Sequence, residues 1–249
     1  MIALVSAVTD AYGAATRPDP TRPLDLARAR DQHAAYVDAL QWLGHRVVAL
    51  EPDPSHPDAV FVEDQAVVVG RRALITRSGH RGRRAEAGRV AEALGSLGLE
   101  VVRMSAPASL DGGDVLRVGD TLLVGRSART DDSGAAALAA AFPALEVVSV
   151  PLPPGVLHLK CVCASPGPGL VLASPAVALE RWAEVLPVHP EDAWAANVVG
   201  HDGKVVVGAG FPRVTQALRA RGFVVREVEL GELRAGDGSL TCLSIVLDG

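Results

Sequence analysis

The chain has 249 residues, long enough to bury a core without disulfide or metal staples. Its formal charge of −5 argues against a general binder of nucleic acid or anionic membrane. Hydrophobic residues make up 49 %, yet no apolar run approaches the ~20 residues of a membrane span, and the opening MIALVSAVTDAYGA lacks the basic start of a secretory signal, so a cytoplasmic protein is expected.

Along the chain one pattern recurs: a short apolar strand, a polar turn, an amphipathic helix and a second apolar strand. The first copy begins at Ala3 (ALVSAVTD), continues through a predicted helix over 24–43 and ends in HRVVAL. Its connecting segment TDAYGAATRPDPTRP is rich in Pro, Thr and Gly and reads as a candidate mobile lid. The second copy starts at ALITRSG, with a helix over 83–97 and the strand LEVVRM; the third is TLLVGRSART, a helix over 131–142 and LEVVSV. The fourth is GLVLASP, a helix over 175–183 and EVLPV; the fifth is KVVVGAG, a helix over 212–221 and FVVREVEL. Pro175 and Pro212 suit first helical turns, and Gly44, Gly98 and Gly222 follow as helix stops. Gly112-Gly113 and Asp202-Gly203 read as tight turns between strands. No segment reads as an interdomain linker, so one domain over 1–249 is expected, arranged as a closed ring or a stacked array.

The loops between copies carry the polar residues: DAVFVEDQAVV, LDGGDVL, GVLHLK, WAANVV and GDGSLTCLSIV, each leading into another apolar strand. In a ring, equivalent positions face one axis, which would bring Glu63, Asp64, Asp111, Asp114, His158 and Cys242 together. Taken singly these motifs have plainer readings: FVED as a strand end with solvated acids, DGGD as a turn, His158 as a core histidine and Cys242 as a core thiol. Three cysteines, Cys161, Cys163 and Cys242, are an odd number for a disulfide framework. HLKCVCA reads as a strand that puts Cys161 and Cys163 on one face, as packing residues. No zinc-finger or HExxH spacing is present, although the acids and His158 leave metal binding open.

Together the converging groups form a chemical set. A thiolate at Cys242 attacks carbon, His158 passes a proton to a leaving amine, and a carboxylate beside the imidazole fixes its tautomer. The remaining acids would repel a developing oxyanion but match a flat, delocalised guanidinium. Thiolate attack on a guanidinium carbon is the reaction this set suggests.

FVEDQAVV, ITRSGHRGRRAEAGRV, LDGGDVL, VGRSARTDDSGAAAL, GVLHLK, AANVV and DGSLTCLSIV, in that order, resemble the dimethylarginine dimethylaminohydrolase family of guanidine-modifying enzymes. The likeness spans essentially the whole chain and is weakest over 6–23 and 175–195. It implies an α/β fold, a five-bladed pseudo-fivefold α/β propeller (pentein) of strand–helix–strand repeats with its active site on the axis. It implies Cys242 as nucleophile, His158 as general acid/base and Asp111 as the carboxylate that orients it. Asp64, with Glu63 beside it, would grip the guanidinium. Asp58 and a backbone carbonyl near Gly236 would meet the substrate α-amino group, and Arg83 and Arg129 would clamp its α-carboxylate. Lys160, where deiminases tend to carry an acid, favours the methylarginine branch. The implied reaction converts methylarginine to citrulline and an alkylamine with neither metal nor organic cofactor, in a monomer or homodimer. A related hydrolase or amidinotransferase acting on arginine or hydroxyarginine is the alternative within enzymes; a binding module of the same fold is the alternative outside them.

Overall fold

Five small sheets of three strands each follow the five sequence units in the computed structural model, which describes residues 1–247. The last two residues of the domain expected over 1–249 lie outside the described residues. In every unit a middle strand pairs in parallel with an outer strand across a crossover, and antiparallel with an inner strand that follows the polar loop before it around the ring. Thus β1 (Ile2–Val5) runs parallel to β2 (Arg46–Ala49) across helix α1 (Leu26–Trp42). The second sheet is β3 (Ala66–Val69), β4 (Arg72–Ile75) and β5 (Glu100–Arg103), with α2 (Ala87–Ser96) in the crossover. The third is β6 (Val115–Val118), β7 (Thr121–Arg126) and β8 (Glu146–Pro151), with α3 (Asp132–Ala141). The fourth is β9 (Cys163–Gly167), β10 (Leu170–Ala173) and β11 (Glu184–Pro187). The fifth is β12 (Val199–His201), β13 (Lys204–Gly208) and β14 (Val224–Val228), with α4 (Pro212–Ala220). A short helix α5 (Gly231–Ala235) leads to β15 (Ser244–Leu247), which pairs antiparallel with β1 and completes the first sheet.

Side-chain alternation along the middle strands decides between a ring and a stack. Leu122 and Val124 of β7 enter a core shared with Leu74, whereas Leu123 enters the next core, with Val171 and Ala173. Leu170 and Leu172 of β10 join Val205 and Val207 of β13, while Val206 turns to a core holding Ala3 and Val5 of β1. Leu4 of β1 meets Ala73 and Ile75 of β4. Each middle strand therefore feeds the two cores on either side of its blade, and the series returns from the fifth blade to the first. Middle strands buried on both faces need continuous apolar runs, which is why ALI, LLV, LVLA and VVV read as they do. Each fully buried leucine of these cores contributes about 2 kcal/mol of transfer free energy.

Local signals place most helix ends. Asp25 and Asp131 accept from the backbone N–H of Arg28 (3.0 Å) and Gly134 (2.7 Å), capping α1 and α3, and Pro212 occupies the first turn of α4. Gly44 takes φ +97° just past α1, a conformation that residues with a Cβ resist. Asp202 and Gly203, at φ 49° and 72°, form the predicted tight turn between β12 and β13.

Three expectations differ from the structure. No helix occupies 175–183; turns join β10 to β11, and Val177 and Leu179, two apart, both insert into the core beneath. Gly112–Asp114 forms a 3-10 turn entering β6 rather than a hairpin turn. Leu159–Cys161 is likewise a 3-10 turn and the strand starts at Cys163, so Cys161 and Cys163 do not share a strand face. The Leu159 N–H that would continue a strand donates instead to Asp114 Oδ1 at 2.9 Å. Among the described residues, no helix is long and apolar enough to cross a membrane.

Candidate active site

Each inner strand is entered through a 3-10 turn: Val62–Gln65, Gly112–Asp114, Leu159–Cys161, Pro190–Ala196 and Thr241–Leu243. Fivefold repetition of this turn gathers the polar loops at one end of the axis. Glu63 and Asp64 lie within the first turn, Asp111 and His158 immediately precede the second and third, and Cys242 lies within the fifth. FVED is thus a buried turn, not a solvated strand end: Asp64 is 3 % exposed and Asp111 is fully buried.

Asp64, Asp58, Arg83, Arg129, His158, Gly236 and Cys242 all line one cavity of about 100 Å³, together with Thr16, Arg17, Phe61 and Asp237. His158 Nε2 lies 3.1 Å from Asp111 Oδ2, and His158 Nδ1 lies 3.8 Å from Asp64 Oδ1. Asp111 Oδ1 also accepts from the Gly79 N–H at 3.1 Å, which fixes the carboxylate that faces the ring. Burial alone would lower the His158 pKa, but the charge of Asp64, the hydrogen bond to Asp111 and the charge of Asp114 outweigh it and hold the imidazolium up to about 9. Burial, with Glu63 and Asp64 adding to it, pushes the Cys242 thiol up to about 12 against a weaker opposing bond from Ser239, whose Oγ lies 3.4 Å from Sγ. The resting pair at neutral pH is therefore a thiol and an imidazolium.

A pH dependence follows from the sign of the His158 shift. Between about 6.5, the unfolded value, and about 9 the folded protein holds a proton that the unfolded chain has released. The stability His158 contributes is complete below that window and lost as pH rises through about 9. Activity that needs the imidazolium is expected to fall over the same alkaline limb, checked by a kcat/KM profile alongside thermal melts.

The two arginines differ. Arg83 Nη1 pairs with Asp64 Oδ2 at 2.5 Å; its Nε and Nη2 go to Glu86, and Nη2 also reaches the carbonyls of Asp58 (3.2 Å) and Phe61 (2.7 Å). It holds Asp64 in place, and with His158 it outweighs burial to keep the Asp64 carboxyl below its ordinary pKa. Arg129 Nη1 is buried, makes no hydrogen bond among the described residues and lies 3.6 Å from Asp111 Oδ2. Arg129 is thus ion-paired with Asp111 without a hydrogen bond at Nη1, and its place on the cavity wall suits it to a ligand anion. Asp58, by contrast, is engaged by the segment over the cavity: its oxygens accept the Thr16 N–H (3.0 Å) and hydroxyl (2.9 Å). That segment, expected as a mobile lid, is strapped by Tyr12 Oη, which donates to the Glu232 carbonyl at 3.0 Å, and by Arg17, whose guanidinium reaches the carbonyls of Gly13, Ala15 and Arg22.

Glu63 lies just behind the cavity, with Oε1 2.5 Å from Lys160 Nζ and Oε2 accepting from Thr241 Oγ1 at 2.8 Å. Asp114 converges as anticipated but serves the scaffold, accepting from the Ser127 and Thr130 hydroxyls (both 2.6 Å) and from Leu159 N–H. The sequence reading missed Asp237, a cavity carboxylate beside Gly236; in GDGSLTC it carries only a turn signal. Ligand atoms of Asp64, Asp111 and His158 lie within 4.8 Å of one another, as a metal site would require. Arg83 and Arg129 face the same carboxylates, and two fixed cations oppose a third there.

Gly113 makes this packing possible. A Cβ there would lie 2.8 Å from both Asp64 Oδ1 and His158 Nδ1. Gly113→Ala is expected to displace both side chains and lower kcat by about 10²-fold in a folded protein, read by steady-state kinetics beside a melting curve.

Residues 6–181 match the family model described as N,N dimethylarginine dimethylhydrolase, eukaryotic. The chain is 39 % identical to the N(G),N(G)-dimethylarginine dimethylaminohydrolase of Streptomyces coelicolor, over 90 % of this chain and 88 % of that protein. It is 34 % identical to the enzyme of that name from Pseudomonas aeruginosa, over 89 % of each. Among solved structures, a cysteine-to-serine variant of the Pseudomonas aeruginosa enzyme complexed with citrulline superposes with a TM-score of 0.92 at 31 % identity, covering 98 % of this chain and 97 % of that one. The N-terminal domain of ArgZ, a cyanobacterial arginine dihydrolase, superposes with a TM-score of 0.90 at 22 % identity over 98 % and 96 %, a likeness of fold.

Proposed function

The chain belongs to the dimethylarginine dimethylaminohydrolase family, and on that premise we propose that it hydrolyses N-omega-methylated arginine to citrulline and dimethylamine or methylamine, with Cys242 as nucleophile and His158 as general acid and base. The observation that carries this reading is one cavity lined by a thiol, an imidazole held by a carboxylate, a second carboxylate and the Arg129 guanidinium.

Asp64 accepts hydrogen bonds from the guanidinium, whose charge offsets the acids that oppose thiol ionisation. The Cys242 thiol gives up its proton to solvent as the sulfur attacks the guanidinium carbon, and a neutral tetrahedral adduct forms. The imidazolium of His158 then protonates the departing alkylamine, and the carbon–nitrogen bond breaks to leave an S-alkylthiouronium on Cys242. Neutral His158 takes a proton from water, which attacks the same carbon. The carbon–sulfur bond breaks, the departing sulfur takes the remaining hydroxyl proton to restore the thiol, and citrulline leaves. Asp111 keeps the ring oriented throughout, as the 3.1 Å contact allows. Arg129 receives the substrate α-carboxylate, and Asp58 with the Gly236 carbonyl receives the α-amino group once Thr16 yields its place on Asp58.

The test is to incubate the purified protein with asymmetric dimethylarginine, arginine and hydroxyarginine and to identify the products. Citrulline with dimethylamine from the first supports the reading. Turnover of arginine in preference, with release of ammonia or ornithine, replaces it by the alternative.

A further inference from the structure

One buried side chain ties three of the axial turns together. Asn197 follows the Pro190–Ala196 turn and is 2 % exposed. Its Nδ2 donates to the Lys160 carbonyl at 2.8 Å and to Thr241 Oγ1 at 3.0 Å, and its Oδ1 accepts from the Thr241 N–H at 3.0 Å. The two opposite contacts fix the amide: reversed, it would set donor against N–H and oxygen against carbonyl. Lys160 lies two residues after His158, and Thr241 immediately precedes Cys242. Asn197 thus holds the main chain on both sides of the reacting pair, without lining the cavity itself.

A second consequence concerns one proton. The Thr241 hydroxyl has a single hydrogen, and because its oxygen accepts from Asn197, that hydrogen is directed to Glu63 Oε2 at 2.8 Å. Lys160 Nζ holds the other Glu63 oxygen. We propose that Asn197 is a positioning residue of the hydrolase: it registers the Cys242 turn against the His158 segment and fixes the Thr241 hydroxyl as a donor to Glu63. The inference rests on the reading of Cys242 and His158 as the reacting pair, and goes beyond it in assigning what holds that pair in register.

Asn197→Asp preserves the shape but sets a carboxylate against the Lys160 carbonyl and adds charge beside Glu63, where it makes the Cys242 thiol harder to ionise. Mere loosening of the turn would do the opposite, exposing the thiol. Asn197→Asp, Thr241→Val and Thr241→Ser are compared with the parent in turnover of asymmetric dimethylarginine, thermal melting, and iodoacetamide labelling of Cys242 followed by peptide mass. In Asn197→Asp, kcat is expected to fall at least about tenfold with KM within about threefold, and labelling to slow at least about threefold. Thr241→Val reproduces the fall in kcat, and Thr241→Ser, which keeps the hydroxyl, stays within about threefold of the parent. An unchanged kcat, a rise in KM alone, or equal or faster labelling in folded Asn197→Asp overturns the proposal. If Asn197→Asp does not fold, an unchanged kcat in Thr241→Val overturns it. A parent protein inert toward methylarginine refutes the underlying reading instead, and the labelling comparison still decides the role of Asn197.

Discussion

Cys242→Ser is expected to retain the fold and lose at least about 10⁴-fold in kcat, equivalent to about 5 kcal/mol of barrier. A serine hydroxyl fits the space of the thiol, so the melting temperature should shift by less than about 1 kcal/mol would produce. The chemistry cannot follow. The enclosed thiol is already held up to about 12 by burial, Glu63 and Asp64, and an alcohol ionises far less readily still in the same field. Substrate binding should survive, because Asp64, Asp58 and Arg129 stay in place, and isothermal titration with asymmetric dimethylarginine reads that directly. Turnover by Cys242→Ser at more than a hundredth of the parent rate would remove Cys242 from the mechanism.

The second large effect belongs to Asp64→Asn. Asp64 accepts from Arg83 and from the Gly113 N–H at 3.0 Å, and it heads the groups that favour the charged form of His158. Neutralising it leaves Arg83 short of one buried counter-charge, at a cost of about 3–5 kcal/mol in stability; Glu86, on the other face of the guanidinium, keeps part of the pairing. Loss of the guanidinium acceptor is expected to lower kcat/KM by about 10³-fold. The alkaline limb assigned to His158 should also move below about 9, because the largest favourable charge on the imidazole has gone. A profile with an unmoved limb would separate that limb from His158.

The ring was legible because each middle strand is apolar on both faces, so ALITRSG, TLLVG and KVVVG stand out whatever surrounds them. The site was legible for a related reason: equivalent turns in a repeat gather at one end of the axis, and Glu63, Asp111, His158 and Cys242 lie in those turns or directly before them. What escaped the sequence depends on contacts between distant residues. The fourth crossover has helical-looking composition, but Val177 and Leu179 alternate into the core and leave no amphipathic face for a helix to use. The turn at Cys161 is hidden in the sequence because the Asp114 carboxylate that takes the Leu159 N–H lies 45 positions away in the chain. Likewise, nothing in GRRAE distinguishes an arginine aimed at a ligand from one committed to Asp64 and Glu86, and Arg83 proves to be committed.

Hydrolysis by this route requires a covalent bond between the Cys242 sulfur and the substrate carbon. Quenching the protein in acid during turnover of asymmetric dimethylarginine, followed by peptide mass measurement, tests it most directly. A peptide containing Cys242 is expected to be heavier by the mass of the substrate less dimethylamine, formed and lost on the timescale of turnover. An unmodified Cys242 peptide under conditions where citrulline accumulates, or the same mass carried on Cys161 instead, would contradict it.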